Sequence, residues 1–370
     1  MREDGEKTVT VKHKDMAKFS RQINYGGITE SCLGVQRVGD DPMAIFHGFP
    51  EVSDDVVAQW VFGGCQFHDS ARKVMGQVHW PMMWLQGDPC NGKHLAGFQA
   101  VLLKGTPVRR LELDGRVVGS AWSDADADYC CLAGVLPGDL SASREAQTRQ
   151  VFERIEAVLK QADMGFLDVV RTWLYLDHLL DWYGEFNVIR NRFFEERGVF
   201  ASRVPASTGI GARNPDGAAI MAGAFAMRPR HKGVSITVVP SPLQCSALEY
   251  RSSFSRAVEL AFPGRRQLLI SGTASIAPGG ESMHQGDTVA QIALTMKVVG
   301  AILESRGMAW KDTTRAIGYF QNMQDAPLLA DYCRANGILD LPVVNAHATV
   351  CRDDLLFEIE LDAAIQALSF

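Results

Sequence analysis

Met308-Ala309-Trp310-Lys311-Asp312-Thr313-Thr314-Arg315 repeats, with its Met, Asp and Arg in register, the earlier stretch Met164-Gly165-Phe166-Leu167-Asp168-Val169-Val170-Arg171. Gln147 with Gln291, and Tyr175 with Tyr319, keep the same 144-residue spacing. Pro205 with Pro342 and Asp216 with Asp353 are spaced by 137, so the second copy is seven residues shorter between its Tyr and its Pro. A period this long exceeds any solenoid repeat and reads as a duplicated domain. At least two homologous domains are expected.

Working outward, each copy predicts the order β-β-β-α-β-α-β-β. In the middle unit Val108 to Leu113 and Val117 to Ala121 alternate about Asp114-Gly115, a two-residue hairpin signal. A strand from Tyr129 to Val135 follows. Val151, Phe152, Ile155, Val158, Leu159 and Ala162 then fall on one helical face. A strand over 169–175, a helix over 180–194 and a hairpin through Asp216-Gly217 complete the unit. The final unit predicts strands over 254–260 and 267–271, a helix over 289–304, a strand over 314–320, a short helix over 328–334, and strands over 343–350 and 355–361. In such α+β units one sheet face packs on helices and the other needs a covering partner. The expected domains are 107–235 and 236–370. Residues 1–106 read as a degenerate third copy or an unrelated cap, with a strand over 44–49, a short helix over 56–62 and irregular loops over 80–84 and 92–97.

Composition narrows the function classes. With 46% hydrophobic and 22% charged residues the 370-residue chain is an ordinary globular protein that can bury a full core. A net charge of −6 offers no basic field for phosphate backbones, so nucleic acid is not an expected partner. Residues 1–7 lack the apolar core of a signal peptide, and the apolar stretch 217–227 is too short to span a bilayer, so a cytoplasmic protein with no membrane partner is expected. Eight cysteines in such a length read as buried small hydrophobes in a reducing compartment.

Units that run from a hairpin through Ser271-Gly272-Thr273, past an Asp-x-x-Arg helix exit, to a Pro-initiated strand and a last Phe357-Glu358-Ile359-Glu360 strand resemble the YjgF/Rid family. Phe254-Ser255-Arg256-Ala257 is similar to that family's Tyr-Ser-Gln-Ala start. The tandem form resembles the chorismatases, which hydrolyse the enolpyruvyl ether of chorismate. The stretches that carry this likeness are Ser271-Gly272-Thr273-Ala274-Ser275-Ile276, Arg171-Thr172-Trp173-Leu174-Tyr175 and Pro205-Ala206-Ser207-Thr208-Gly209-Ile210-Gly211. The resemblance covers residues 107–370 and implies trimeric or pseudo-trimeric packing with clefts between units. Two departures stand out. Where Rid imine deaminases hold the substrate carboxylate with an Arg, this chain has Ser207 and Val344. Where chorismatases carry Asn-Pro-Arg-Gln, it has Ser241-Pro242-Leu243-Gln244.

The resemblance places a catalytic acid at Glu358, and the 137 spacing sets Met221 opposite it in the middle unit. Phe357, Ile359 and Leu361 face one side of a strand while Glu358, Glu360 and Asp362 face the other. The apolar set belongs on the helices, so the acids point at a neighbouring unit, where burial raises a carboxyl pKa towards neutrality. The other reading of the same alternation is a wet strand face. Arg190 and Arg256 are the candidates for holding an anionic substrate, since guanidinium forks carboxylates. Ser207 and Thr208 supply hydroxyls at the cleft or satisfy strand ends. Ser271, Gly272, Thr273 and Ala274 allow close backbone approach. Tyr175 and Cys351 complete the expected substrate-binding set. Cys351 needs a cationic neighbour to become reactive, and Arg352 is expected to point away from it. Arg171 and Arg315, each three residues after an Asp, are expected to form a structural ion pair.

No cofactor and no metal are expected. Cys65, His68 and His79 lack a second close pair to complete a zinc site. Gly209-x-Gly211 reaches Asn214 where a dinucleotide loop needs a third Gly, and neither a nucleophile elbow nor a phosphate-binding Gly-Lys-Ser/Thr is present. Two functions remain open. One is a metal-free enzyme acting on a small carboxylated or cyclic metabolite by hydrolysis, elimination or aromatisation, possible as a homo-oligomer. The other is a non-catalytic metabolite-binding or scaffold protein of the same fold.

Overall fold

The computed structural model describes residues 11–13, 16–46, 55–87, 95–250 and 252–366. The first part holds β1 (Val11–His13), β2 (Met16–Tyr25), β3 (Ile28–Arg37), β4 (Val56–Gly63), α1 (His68–Met75), β5 (Met82–Gly87) and β6 (Leu95–Lys104). The middle part holds β7 (Arg109–Leu113), β8 (Arg116–Ser123), β9 (Ala127–Val135), α2 (Arg144–Gln161), β10 (Val169–Leu176), α3 (Leu179–Glu196), β11 (Ala206–Arg213) and β12 (Ile220–Pro229). The final part holds β13 (Ser235–Val239), β14 (Ala257–Ala261), β15 (Arg265–Ala274), α4 (Thr288–Ser305), β16 (Thr313–Phe320), α5 (Ala326–Ala335), β17 (Val343–His347) and β18 (Phe357–Gln366).

One strand order recurs three times. It reads β1-β2-β3-β6-β4-β5, then β7-β8-β9-β12-β10-β11, then β13-β14-β15-β18-β16-β17. In each set the last pair is parallel and its neighbours antiparallel. The bulge recurs too, between Val56 and Ala58, Val169 and Arg171, and Thr313 and Arg315. Counting from it makes Phe62, Tyr175 and Tyr319 equivalent, opposite Gly97, Met221 and Glu358 on the neighbouring strand. Edge strands join the sets: β5 pairs with β11, Ala206 bridges Ser255, and β17 packs on β6.

The inner sheet faces share one core. Trp60 and Trp173 lie 5.0 Å apart, and the Tyr175 and Tyr319 hydroxyls are 2.9 Å apart with Phe62 edge-on to Tyr319. The outer faces pack on helices. α2 forms because Ser143 caps its N-terminus by accepting from the Ala146 N–H, and Val151, Phe152, Ile155, Val158 and Leu159 all turn inward. Asp287 caps α4 in the same way, and its Ile292, Met296, Val299, Ile302 and Leu303 cover Leu268, Ile270, Phe357, Ile359 and Leu361. Each of these buried aliphatic side chains contributes about 1.5–3 kcal/mol. By length and composition α4 is apolar enough to cross a membrane, but here its apolar stripe is a core face.

The repeated glutamines have one task. Gln147 Oε1 accepts from Ala219 N at 2.9 Å and Gln291 Oε1 from Leu356 N at 2.8 Å, which anchors the approach to the last strand of each unit.

Several local expectations change. Residues 56–62 form a strand, not a helix, because all eight residues of β4 are buried on both faces and the two-residue alternation disappears. Residues 44–46 are a short 3-10 turn, and 47–49 lie outside the described residues. The loop expected at 80–84 enters β5 at Met82, and that at 92–97 enters β6 at Leu95, with 92–94 outside the described residues. The strand expected at 254 starts at Ala257, after a further strand, β13. Arg171 and Arg315 do not pair with Asp168 and Asp312. Those carboxylates accept from the Gly165 and Ala309 backbone N–H groups, both at 2.8 Å, while the arginines reach Glu360 and Asp362.

Candidate active site

Strand β18 delivers three carboxyls to the inner face and gives them different surroundings. Asp362 takes Arg171 at 2.6 Å and Arg315 at 2.8 Å. Glu360 takes Arg171 at 2.9 Å, the Trp173 indole N–H at 3.0 Å, and close contacts from Arg315 and the Thr208 hydroxyl. Glu358 lies one pleat further on and is only 5% exposed, yet no hydrogen bond from the described residues reaches its carboxyl.

Electrostatics separates the pair. Burial pushes the Glu358 carboxyl up, the neighbouring Glu360 charge pushes it further, Arg256 offsets part of this, and the result is about 8. Glu360 is just as buried, but Arg171 and Arg315, with the Thr208 and Arg315 hydrogen bonds, more than overcome its desolvation and hold it at about 2. Near neutral pH one inward acid keeps its proton and the other is a carboxylate. Such a divergence marks acid–base sites, and here the low member is an ion-paired anchor.

Glu358 forms part of the wall of a cavity enclosing about 490 Å³, its open mouth included. Arg190 on α3, with Ser207 and Gly209 on β11, come from the middle unit. Phe254, Arg256, Gly272, Ala274, Cys351 and Arg352 come from the final unit. Three arginines and a single carboxyl therefore line one cavity, and the Arg256 charge acts on Glu358. Asn187 Oδ1 accepts from Arg190 Nη2 at 2.6 Å and the Cys245 carbonyl from Arg256 Nε at 3.0 Å, which orients both forks. Gly272 is required by the acid itself, because a Cβ there would stand 2.0 Å from Glu358 Oε1.

The remaining expected residues are distributed around this cavity. Ser207, Gly272, Ala274 and Cys351 line it with Arg190, Arg256 and Glu358. Thr208, Ser271 and Thr273 stand behind its wall. Thr208 donates to Glu360 and accepts from Gly272 N, Ser271 Oγ accepts from Ser207 N at 2.9 Å, and Thr273 donates to the Ser271 carbonyl. Tyr175 is buried against Tyr319 in the core and is not brought to the cavity. Arg352 differs from expectation, because it lies in the cavity wall beside Cys351. Residues 351–352 form a bend, so the alternation of a strand does not apply to them. Burial, then the Glu358 charge, push the Cys351 thiol up to about 12 despite Arg352. Among the described residues no group of three His, Cys, Asp or Glu side chains is placed to hold a metal ion.

The family model "Endoribonuclease L-PSP" matches residues 126–220. A putative regulator AldR of Lactococcus lactis is 31% identical over 100 residues, 27% of this chain and 71% of that protein. The chain belongs to the YjgF/Rid family. Two Streptomyces relatives extend the likeness of this Rid-family chain beyond one domain. A 3-hydroxybenzoate synthase of Streptomyces hygroscopicus is 27% identical over 266 residues, 64% of this chain and 74% of that one. A chorismatase of Streptomyces rapamycinicus is 27% identical over 269 residues, 65% and 76% of the two chains. A chorismatase crystal structure superposes with a TM-score of 0.64 at 19% identity, covering 90% of this chain and 98% of that one, which shows the shared tandem fold.

Proposed function

We propose that this Rid-family chain removes the enolpyruvyl group of chorismate or a close analogue, with Glu358 as general acid. The observation that carries this is a buried, protonated carboxyl that lines one cavity with three arginines at the seam of two units. An enol ether is electron-rich at its terminal methylene carbon. A proton delivered there creates an oxocarbenium ion, and only an acid still protonated near neutral pH supplies that proton efficiently. Addition of water gives a hemiketal that collapses to pyruvate and a ring alcohol. Loss of water from the ring instead of net hydrolysis gives pyruvate and a hydroxybenzoate, and both routes balance. Arg190, Arg256 and Arg352 match a substrate with two carboxylates, and the relatives' names, chorismatase and 3-hydroxybenzoate synthase, lie on the same chemistry.

In this reading Ser207, Gly272 and Ala274 shape the cleft wall, Thr208 and Ser271 position it, and residues 1–106 act as a degenerate Rid-like unit that closes the ring. The recurring strand order and bulge support that last role. The test is pyruvate release from chorismate by the full chain. Release that falls at least a hundredfold in Glu358→Gln supports the proposal. No release from chorismate, or full turnover by Glu358→Gln, sinks it, and a thermal shift without product marks a binding protein instead.

A further inference from the structure

A second cavity lies inside the barrel of sheets and shares no wall residue with the Glu358 cleft. On the same measure it is larger, enclosing about 710 Å³ with its mouth included. Its wall is aromatic. Trp122, Tyr129 and Phe225 lie within 17° of parallel and stack on one another at one side, while Trp60 and Trp173 tilt against each other on another.

The exposed lining of this cavity is mostly apolar, with two indole donors and an ion-paired floor. The indole N–H groups of Trp60 and Trp122 are buried in the wall, the residues 1% and 7% exposed, and neither has an acceptor among the described residues. Buried donors without partners are rare in folded proteins. Burial pushes the Glu30 carboxyl up, and its Oε2 accepts from the Tyr25 hydroxyl at 3.1 Å. The ionic floor is balanced, because Arg171 and Arg315 meet Glu360 and Asp362 two against two.

We propose that the barrel interior is a separate small-molecule site that takes an uncharged planar ring bearing an acceptor oxygen, of the aryl ketone or phenol class. The stacked aromatic side chains pack against the ring. The oxygen takes the Trp60 and Trp122 N–H groups. The floor's arginines are each matched by a carboxylate, which distinguishes this cavity from the guanidinium-rich cleft of Glu358. A concave, mostly apolar chamber with a few convergent polar groups has the character of a ligand site rather than of a packed core.

Calorimetric titration of the full chain with acetophenone tests this, with ethylbenzene as the ring without an acceptor and benzoate as the charged ring. Acetophenone is expected to bind, ethylbenzene and benzoate each at least fivefold more weakly. Trp122→Phe keeps the ring and loses one N–H, so it should weaken acetophenone about fivefold, the loss of one hydrogen bond, and leave ethylbenzene unchanged. Val57→Trp fills the chamber and should abolish binding, with circular dichroism reporting its fold. Glu358→Gln should leave acetophenone affinity as it is, so failure here and failure of the chorismate reading are distinguishable. No binding of acetophenone, equal binding of benzoate, or an unchanged acetophenone-to-ethylbenzene ratio in Trp122→Phe overturns the proposal. The last two measurements decide even where Val57→Trp fails to fold.

Discussion

Replacing Glu358 by Gln removes one titration from a buried position and nearly preserves shape, so its effect on stability must change with pH. In the unfolded chain the carboxyl ionises at its ordinary 4.5, while in the folded protein it holds its proton to about 8. The folded pKa is the higher one. The neutral form's contribution is therefore fully present below pH 4.5 and is lost as pH rises through 8, because over that window the unfolded state alone gains by releasing the proton. Each pH unit costs about 1.36 kcal/mol, so the three units from pH 5 to pH 8 cost on the order of 4 kcal/mol. The Gln variant has no such loss. Glu360 does not blur the comparison, since its arginine partners hold it at about 2 and it stays ionised across the window. Urea unfolding of both proteins at pH 5, 6.5 and 8, at fixed ionic strength, should show the Gln variant gaining on the parent by roughly that amount and levelling off above pH 8. Subtracting one protein from the other removes every other titrating group. Two stability curves that stay parallel within about 1 kcal/mol would mean that the carboxyl is solvated, and the seam geometry would be wrong.

Three further outcomes follow from the same site. Pyruvate release by the parent protein should fall about tenfold per unit above pH 8, as the Glu358 proton is lost; a profile flat to pH 10 would remove it as the acid. Gly272→Ala puts a methyl group 2.0 Å from Glu358 Oε1, so kcat should collapse while stability drops by roughly 1–3 kcal/mol, read from activity and melting of the same preparation. Arg171→Met leaves Glu360 and Asp362 to share Arg315 alone and should cost roughly 3–5 kcal/mol in urea unfolding, with Glu360 rising from its low pKa.

How far the sequence disclosed this depended on whether a residue's role was local. The Gln147–Gln291 and Asp168–Asp312 pairs stand out as repeats because each satisfies a specific backbone N–H at the same place in its unit. Glu358 was legible because β18 has one face on helices and one on a seam, which keeps its alternation intact. Strand β4 was not, since it is covered on both sides and its apolar run carries no period. The first unit keeps the Asp of the repeat as Asp55 but lacks its Met and Arg, and its Ala58 stands where Arg171 and Arg315 stand. The partners of Arg171 and Arg315 are not legible locally, because Asp362 lies 191 residues from the first and 47 from the second, a distance that no local spacing encodes.

The three-fold register explains why a ring of similar units has its acid in one seam. Glu358 corresponds to Met221 in the middle unit and to Gly97 in the first. At Gly97 a Cβ would meet the Val35 carbonyl oxygen at 2.1 Å, so no side chain can stand there at all. Glu360 corresponds in the middle unit to Gly223, where a Cβ would lie 2.6 Å from the Leu132 carbonyl oxygen. The charged anchor is thus excluded from that seam by backbone packing. Arg171 is the middle unit's counterpart of Arg315, yet it spends its guanidinium on the final unit's carboxylates. Two units therefore supply cations to a single pair of anions. That arrangement keeps Glu360 ionised two residues from Glu358, and its charge helps to hold the Glu358 proton. Arg171 and Arg315 thus serve one carboxylate pair, and the ionised Glu360 adds its charge to the burial that already holds the Glu358 proton.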